Sequence, residues 1–303
     1  MFKPMRTNFF RGEKWGSIII WCLILLVFIV FAVWQIVPIV VSFFNASKGY
    51  QEYIQNKFWI PKVWDFSAFG DVFSILSVEK FVSGQGMYRY GFGTLLVNSL
   101  LIAFVTPVMG VLTNAVCGYI LAHYNFRFKK LLLTVNVFVM IIPFVGTLPA
   151  ALQINRAIGR YDNFLMMSIF GNIPFGFNML LFLSSFNAFS WTYAEAAMMD
   201  GAGHLRIMFL IMMPMRISLV LVMYVLAFLG AWNDYNLSLV WLPSMPNLAY
   251  GVYNFQYNAS VGMNATPMQI QAALLICALP SLLLYLVCQK GIASKLEVGG
   301  IKG

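Results

Sequence analysis

Long stretches without Asp, Glu, Lys or Arg are the feature that most constrains how this chain can fold. They run over Trp15–Ser47, Tyr90–Phe126, Leu131–Asn155, Asn163–Ala194, Ile217–Asn233 and Tyr235–Gln289. An α-helix that crosses a bilayer needs about 20 mainly apolar residues, and most of these stretches are long enough to hold one. Only 10% of the residues are charged, whereas soluble globular chains carry about 25%. The sequence therefore predicts an integral membrane protein and excludes a soluble or disordered one.

The last of these stretches is too long for a single helix, and its Pro and Asn residues between positions 243 and 267 are typical of a loop. We therefore predict an all-α polytopic membrane protein with six transmembrane helices, at about 18–43, 94–122, 131–150, 164–185, 217–241 and 269–288. A membrane β-barrel is excluded because its strands are shorter and alternate in polarity. The remaining parts are an N-terminal segment 1–17, a loop 44–93 and a C-terminal tail 289–303, and residues 94–288 form a five-helix core.

The distribution of Lys and Arg predicts the orientation of these helices, because positive residues are retained on the cytoplasmic side of short loops. With the N-terminus inside, twelve Lys and Arg lie in cytoplasmic segments and seven lie outside. Both termini are therefore expected in the cytoplasm, and the loop 44–93 is expected outside. The net charge of +9 then reflects topology and contact with anionic lipid headgroups, not a nucleic-acid partner.

Three features of the segments outside the core bear on processing and partners. The first apolar run is far longer than a signal-peptide core, so no cleavable signal is expected. All four cysteines lie in or at the ends of predicted spans, so no external disulfide is expected. The external loop 44–93 is rich in Trp and Phe and has two compatible interpretations: an aromatic belt at the membrane surface, or a lid or docking surface for an external partner.

The segment 186–214 on the cytoplasmic side contains a predicted short helix over residues 194–201. Ala194–Met199 are good helix formers, and Gly201 and Gly203 favour an end to the helix. Pro214 suits the first turn of the next span. Local chemistry thus places a short helix between two spans.

The exposed groups of this short helix suggest a contact with another protein. Ala196 and Ala197 allow another backbone to approach closely, while Glu195 and Asp200 offer carboxylates to basic groups. The alternative is an amphipathic helix that lies on the membrane surface. Both interpretations stay open on the residues alone.

Asp234 is the only acid within a predicted span, and Asn233 precedes it. A charge inside the membrane is a candidate functional group. The pair could line a translocation path and bind the hydroxyl groups of a solute. The alternative is a structural hydrogen bond to a neighbouring helix or subunit.

Several chemistries lack their sequence signatures. His123 and His204 have no Cys, Asp or Glu at metal-ligand spacing, so no metal site is expected. No Gly-x-x-x-x-Gly-Lys-Ser/Thr motif is present, so the chain is not expected to bind or hydrolyse ATP and is not expected to be an enzyme. The motifs of membrane esterases and zinc proteases are also missing.

The chain resembles the permeases of binding-protein-dependent ABC importers. The segment Glu195-Ala-Ala-x-x-Asp200-Gly-Ala, followed by Ile211-x-x-Pro214, is similar to the "EAA" signature of that family. Further similarities to its carbohydrate branch, and to the maltose-type second permease subunit, follow in the same order along the chain: Asn98-Ser99-Leu, Gly118-Tyr119-x-x-Ala122 with Arg127-x-x-Lys130, Ile142-Pro143, Trp232-Asn233-Asp234-Tyr235, and the ending Gly299-Gly300-Ile301-Lys302-Gly303. Departures include Met208 for the usual Phe and Lys295 for the usual Gly.

The resemblance implies the type I importer fold and a set of partners. These are a second permease subunit, two cytoplasmic ATPase subunits that carry ATP and Mg, and an external solute-binding protein in a bacterial or archaeal cytoplasmic membrane. The implied function is the import of a carbohydrate, such as an oligosaccharide, by alternating access. ATPase coupling then falls to Glu195, Ala196, Ala197, Asp200, Gly201 and Gly203, and the tail Gly299–Gly303 is implied to reach the ATPases. The alternative for the tail is a frayed terminus.

Three other functions stay open as alternatives. An importer permease for another small solute would share the same architecture. A six-span channel would need a filter between spans, and segment 243–268 shows no such repeat. A membrane enzyme would need clustered ionisable groups at one depth, whereas the predicted spans offer only Asp234.

Overall fold

The structure is a computed structural model of the chain and describes residues 15–82, 86–142, 145–260 and 265–296. Its helices and strands in chain order are α1 Trp15–Ala46, α2 Tyr50–Gln55, α3 Ser67–Ile75, β1 Ser77–Val82, β2 Gly86–Gly91, α4 Phe92–His123, α5 Lys129–Ile141, α6 Leu148–Ala157, α7 Phe164–Phe170, α8 Phe177–Asn187, α9 Thr192–Met199, α10 His204–Ile207, α11 Met213–Met215, α12 Ile217–Asn233, α13 Leu248–Ser260 and α14 Pro267–Leu296. Two π-helical segments, Met208–Met212 and Leu237–Trp241, are also present.

The chain divides into two compact units, Met1–Gly70 with Thr266–Leu275 and Asp71–Ala265 with Ile276–Gly303. In the first unit, α1 leaves nearly all of its large apolar side chains exposed. Such a surface requires an apolar surrounding or a protein partner. The segment after α1 folds back onto its end, because the backbone N–H of Asp65 donates to the carbonyl of Ser47 at 3.0 Å.

Lys48 fixes this turn at the end of α1. Its side chain is only 2% exposed, and Nζ donates to Asn45 Oδ1 at 3.1 Å and to the carbonyl of Asn56 at 2.8 Å. Burial lowers the pKa of this amine, and the charge of Glu52 partly opposes that effect. A buried amine with two acceptors is a structural group, because its hydrogen bonds compensate the loss of water.

The second unit is built around α4, which packs most extensively against α8 and α12. Gly118 allows α8 to approach closely, since a Cβ at that position would lie 2.7 Å from the Cβ of Phe182. Small residues at such crossings are typical of membrane helix interfaces. Near this crossing a buried cluster joins α4, α8, α9, α10, the π-helical segment Met208–Met212 and α12. It includes Tyr119, Phe182, Phe186, Ala194, Ala197, Ile207, Met212 and Met223.

The described residues are mostly helical, and the one feature that the all-α prediction did not include is an antiparallel hairpin of β1 and β2 within the loop 44–93. Glu79 lies opposite Arg89 in its register, and Lys80 lies opposite Tyr88. Opposite charges that face each other across two strands stabilise such a pair, and aromatic residues favour strands. Composition alone had indicated only aromatic, amphipathic pieces in this loop.

The six continuous spans are not confirmed either. Within the described residues, three helices are long and apolar enough to cross a membrane: Gly16–Ala46, Phe92–His123 and Pro267–Gln289. A fourth is present if His204–Met215 and Ile217–Asn233 count as one span, although the chain bends by 78° between them. The predicted spans 131–150 and 164–185 are each interrupted, and the predicted span 217–241 breaks after Asn233.

Buried side chains satisfy the backbone at one of these interruptions. The fourth predicted span breaks at residues 171–176, where Gly176 has φ +111°. Asn136 of α5 is fully buried, accepts from the N–H of Gly176 at 2.5 Å, and donates to its carbonyl at 3.5 Å. In a bilayer, free backbone groups are costly, so a break persists only where protein groups pair with it.

The segment between α12 and α14 is more ordered than its loop composition indicated, because it contains α13. Its start is held against the beginning of α4: Asn98 Nδ2 donates to the carbonyl of Pro246 at 3.0 Å, and the N–H of Leu248 donates to Ser99 Oγ at 2.6 Å. Lys80 of β1 adds a third tie, with Nζ 2.8 Å from the carbonyl of Pro243. The hairpin, α4 and this segment therefore form one packed region of the second unit.

Candidate functional site

The predicted short helix is present as α9, and it ends in the way the sequence indicated. Gly201 has φ +81°, its N–H donates to the carbonyl of Met198, and the N–H of Ala202 donates to that of Ala197, both at 2.9 Å. These two bonds and a left-handed residue define a Schellman end, which glycine adopts without strain. Gly203 has an ordinary extended conformation, with φ −73°, and begins α10.

The candidate coupling residues divide between two faces of α9. Ala197 is 9% exposed and Ala194 is fully buried, and both belong to the core cluster. Glu195, Ala196 and Asp200 are exposed. Ala197 therefore packs within this chain, whereas of these candidate residues Glu195, Ala196 and Asp200 remain available to a partner.

The position of Asp200 is locally unfavourable. It directly follows the last residue of α9, where the helix dipole is negative and an acid is destabilising. Glu195, by contrast, lies in the first turn, where the dipole favours it. An exposed acid at a helix C-terminus has no structural benefit to the isolated helix, and it is available to a basic group on another protein.

Aromatic contacts tie the flanks of α9 to the ends of longer helices. The Trp191 ring lies 4.6 Å from the ring of His123 at the end of α4. Tyr124 Oη lies 2.9 Å from His204 Nδ1. These contacts hold the flanks of α9 against the end of α4. Sequence reasoning missed these contacts, since their partners are about 70 to 80 residues apart and no local pattern links them.

Asn233 and Asp234 lie at the end of α12 and not inside a continuous span. Asp234 Oδ1 accepts from the N–H groups of Asn236 at 2.9 Å and Leu237 at 3.3 Å, which is the arrangement of a carboxylate that caps the next helical turn. Asn233 Nδ2 donates to the carbonyl of Leu229 at 2.8 Å. The structure thus gives both side chains local structural partners.

Two further predicted features lie outside the described residues: the tail Gly299–Gly303 and Pro143 of the third predicted span. Within the described part of the chain, no group of three or more His, Cys, Asp or Glu side chains could hold a metal ion.

The comparison with known families identifies the architecture that carries these features. The profile of the family described as "Binding-protein-dependent transport system inner membrane component" matches residues 114–297, well over half of the chain. The chain belongs to this family. It is thus the membrane component of a binding-protein-dependent transport system, and α9 with its Schellman end lies within the matched part of this permease.

Similar proteins extend the match beyond that region. The inner membrane ABC transporter permease protein YcjP of Escherichia coli (strain K12) is 29% identical over 287 residues, which cover 90% of this permease and 93% of YcjP. The maltodextrin transport system permease protein MalD of Streptococcus pneumoniae is 30% identical over 218 residues, covering 70% and 76% respectively.

A solved structure confirms the fold of the permease. It is the crystal structure of a bacterial ABC transporter involved in the import of the acidic polysaccharide alginate, one chain of which matches with a TM-score of 0.73. The match covers 92% of this permease and 98% of that chain at 22% identity. The two chains therefore share their fold over nearly their whole length.

Proposed function

We propose that this chain is a permease subunit of an ATP-driven importer that moves a carbohydrate, such as an oligosaccharide, across the cytoplasmic membrane by alternating access. Its family membership and the maltodextrin permease among its relatives support the proposal. The partners are a second permease subunit, two ATPase subunits that bind ATP and Mg, and an external solute-binding protein. Both termini lie in the cytoplasm, as does α9.

The observation that carries the coupling mechanism is the arrangement of α9, whose inner face is buried while Glu195, Ala196 and Asp200 stay exposed. A basic surface of the ATPase subunit would contact these carboxylates, and Gly201 and Gly203 would let its backbone approach. Movement of the ATPase subunits on ATP binding would then displace α9 and, through Trp191, the end of α4. Coupling of this kind requires that the contacts differ between the two states.

The proposed translocation path includes the end of α12. Asp234 has one oxygen engaged by backbone N–H groups, and Asn233 is exposed. A role on the path would use the exposed amide of Asn233, with Asp234 fixing the end of α12 in position. The tail Gly299–Gly303 is proposed to contact the ATPases on the family resemblance alone.

The test replaces the exposed carboxylates in the assembled importer. Glu195→Ala and Asp200→Ala should lower solute uptake and solute-stimulated ATPase activity together, by about tenfold or more, as loss of one partner of an interfacial charge pair predicts. Glu79→Ala, which removes an exposed acid from β1, is the matched control and should leave both activities unchanged. Undiminished uptake in both α9 variants would refute the coupling assignment.

The solute class has its own test. The external solute-binding protein that delivers solute to this permease should be stabilised in a thermal-shift screen by neutral sugars and not by amino acids or inorganic ions. If another class of solute stabilises the binding protein, the importer function stands, but the transported solute is not a carbohydrate. Charge-selective currents from the purified chain alone would favour the channel alternative.

A further inference from the structure

An apolar groove of about 400 Å³ lies in the second unit, beside the connection between α4 and α5. Its surface is almost entirely apolar, and the hydroxyl of Thr113, which also lines it, donates to the carbonyl of Met109 at 2.9 Å. The groove therefore selects an apolar occupant. Its lining includes Leu112, Val116, Ile120, Phe126, Leu132 and Pro174.

The groove is open on one side and is nearly as long as one leaflet of a bilayer is deep. Leu112 is 38% exposed and Ile120 is 40% exposed, so the described residues do not cover this side. Both residues and Val116 lie on one face of α4, because they follow one another at every fourth position. From Leu112 to Ile120 the groove follows about 12 Å of the helix, at about 1.5 Å per residue. That length is most of one leaflet, which is half of the roughly 30 Å hydrocarbon core.

Basic residues lie at the end of this groove. Arg127, Lys129 and Lys130 fall between the lining residues Phe126 and Leu132, and we call Arg127–Lys130 the basic connection. A turn keeps it close to the groove, since the N–H of Lys129 donates to the carbonyl of Phe126 at 3.1 Å. Lys129 and Lys130 begin α5, where the helix dipole disfavours cations, so their charge does not stabilise that helix.

The positive charge of the basic connection is not compensated within the described part of the chain. No Asp or Glu occurs in the sequence between Glu79 and Asp162. Lys129 Nζ donates to the neutral Oδ1 of Asn125 at 3.4 Å, and no basic group of the connection forms an ion pair with a described residue. Arg127 and Lys130 are exposed, so an anion can reach the connection from outside.

We propose that the groove binds one acyl chain of an anionic phospholipid and that the basic connection binds its phosphate. The two parts of the site meet at Phe126, which lines the groove and precedes Arg127. An uncharged chain would leave the cations unpaired, and free phosphate would leave the groove unfilled, whereas an amphipathic anion satisfies both.

The position of the site in the membrane agrees with this ligand. Basic pockets between transmembrane helices on the cytoplasmic side bind anionic headgroups, and the basic connection lies on that side in the orientation proposed above. The site goes beyond the proposed function, because it requires a bilayer around the permease and does not depend on which solute is transported.

Thermal unfolding of the complete importer complex in detergent tests the choice of ligand. Palmitoyl-oleoyl phosphatidylglycerol should raise the melting temperature more than phosphatidylcholine with the same two chains. The compound sn-glycerol 3-phosphate, which carries the phosphate without a chain, should not raise it at the same concentration.

The headgroup contact is tested by a matched pair of double substitutions. Arg127→Gln with Lys130→Gln should raise the phosphatidylglycerol concentration for half-maximal stabilisation by about thirtyfold, since each Lys or Arg near an anionic headgroup contributes about 1 kcal/mol. Lys57→Gln with Lys62→Gln is the control, because it removes the same charge from two exposed residues that do not line the groove. It should leave that concentration unchanged.

The groove is tested by a bulky side chain that leaves the cations in place. Ile120→Trp, at a lining position, should fill the groove and reduce stabilisation by phosphatidylglycerol to the level given by phosphatidylcholine. Leu101→Trp is the control, because it lies on the same helix, is 45% exposed and does not line the groove. It should keep the wild-type response. Each variant is compared with and without lipid, so a lower starting melting temperature does not alter the comparison.

Three outcomes would overturn the lipid site. Equal stabilisation of the wild-type complex by the two phospholipids would mean that another subunit, such as the second permease, covers the groove. An equal response of the two double variants would mean that binding follows net charge alone. Stabilisation by sn-glycerol 3-phosphate would mean that the basic connection binds free phosphate and that the groove has no part in it.

Carbohydrate uptake, measured with the same wild-type complex, separates this site from the proposed function. If uptake continues while the preference for phosphatidylglycerol is absent, the lipid site fails and the proposed function survives. If the complex imports no carbohydrate while that preference is present, the lipid site stands and the proposed function fails.

Discussion

The guanidinium carbon of Arg216 lies 3.8 Å from the centre of the Phe189 ring. Phe189 precedes α9, and Arg216 occupies the bend between α11 and α12. The two residues therefore join the beginning of the α9 segment to the point where the following helix changes direction. Together with the contact between Trp191 and His123, this cation–π pair connects α9 to both α4 and α12.

Arg216→Lys should weaken that connection while it keeps the charge. A Lys ammonium lacks the planar stacking surface of Arg, and a cation–π contact contributes about 0.5–2 kcal/mol. We expect lower solute uptake and faster hydrogen exchange across residues 189–199. Arg206→Lys, an exposed change in the same segment, is the control, and an equal effect of both substitutions would contradict a specific role for the pair.

Gly201→Ala should strain the end of α9. A side chain at φ +81° costs about 1–2 kcal/mol, so we expect a lower melting temperature of the purified complex and reduced uptake. Gly203→Ala is the matched control for the melting temperature, because a Cβ added at either glycine would meet no described atom within 4 Å and only Gly201 has a positive φ; uptake is not compared between the two, since both glycines belong to the proposed ATPase-facing segment. Identical behaviour of the two variants would mean that backbone conformation is not what position 201 requires.

Gly118→Ala should disturb the packing of α4 against α8. The new methyl group would lie 2.7 Å from the Cβ of Phe182 and 2.9 Å from the backbone nitrogen of Leu183. Overpacking of this kind costs about 1–3 kcal/mol, and thermal unfolding in detergent should detect it. Gly93→Ala, in the same helix with open space around the position, should unfold at the wild-type temperature. An unchanged melting temperature for Gly118→Ala would contradict the close approach.

Lys80→Met should loosen the hairpin from the rest of the second unit. The amine donates to the carbonyl of Pro243 at 2.8 Å and lies 4.5 Å from the centre of the Tyr250 ring. Loss of these two contacts should reduce stability at neutral pH by roughly 1–2 kcal/mol. Lys62→Met, at an exposed position, should have little effect on the melting temperature.

The same amine should give the wild type a dependence on alkaline pH. Burial lowers the pKa of Lys80 below its ordinary value of 10.5, and the charge of Asp162 partly opposes that shift. Between the folded and unfolded pKa values the unfolded chain binds more protons, so stability rises with pH across that window and is constant below it. The difference in melting temperature between wild type and Lys80→Met should grow as pH approaches 10.5. A constant difference would contradict the burial of the charge.

Local chemistry predicted some of these features and could not predict others. The end of α9 followed from Gly201, because a left-handed residue after good helix formers has a local cause. The predicted fourth span is interrupted at Gly171–Gly176, where the overall apolarity concealed a break whose backbone pairs with distant side chains such as Asn136, about 40 residues earlier. Glycines in the predicted spans were a signal that could have indicated the break.

In the candidate site, too, some features could be predicted from the sequence and others could not. Glu195 and Asp200 could be identified from their spacing, whereas the burial of Ala197 depends on how α9 packs against residues of α4, α8, α10, α12 and the π-helical segment Met208–Met212. Asp234 was conspicuous as the only acid in a predicted span, yet its carboxylate caps the turn that follows. The scarcity of charge in the predicted spans therefore identified Asp234, but its role as a cap could be seen only from the backbone that follows it.

The pairing of Asn136 with Gly176 has a consequence for how this permease is made. Both backbone groups of Gly176 find their partner within the same chain, so this residue needs no second subunit to shield its polar atoms from lipid. A newly inserted chain therefore carries no unpaired backbone group at this position before its companions arrive. An Asn136→Ala chain loses this pairing, and membrane proteases should clear it faster than the wild type when it is made without its partners.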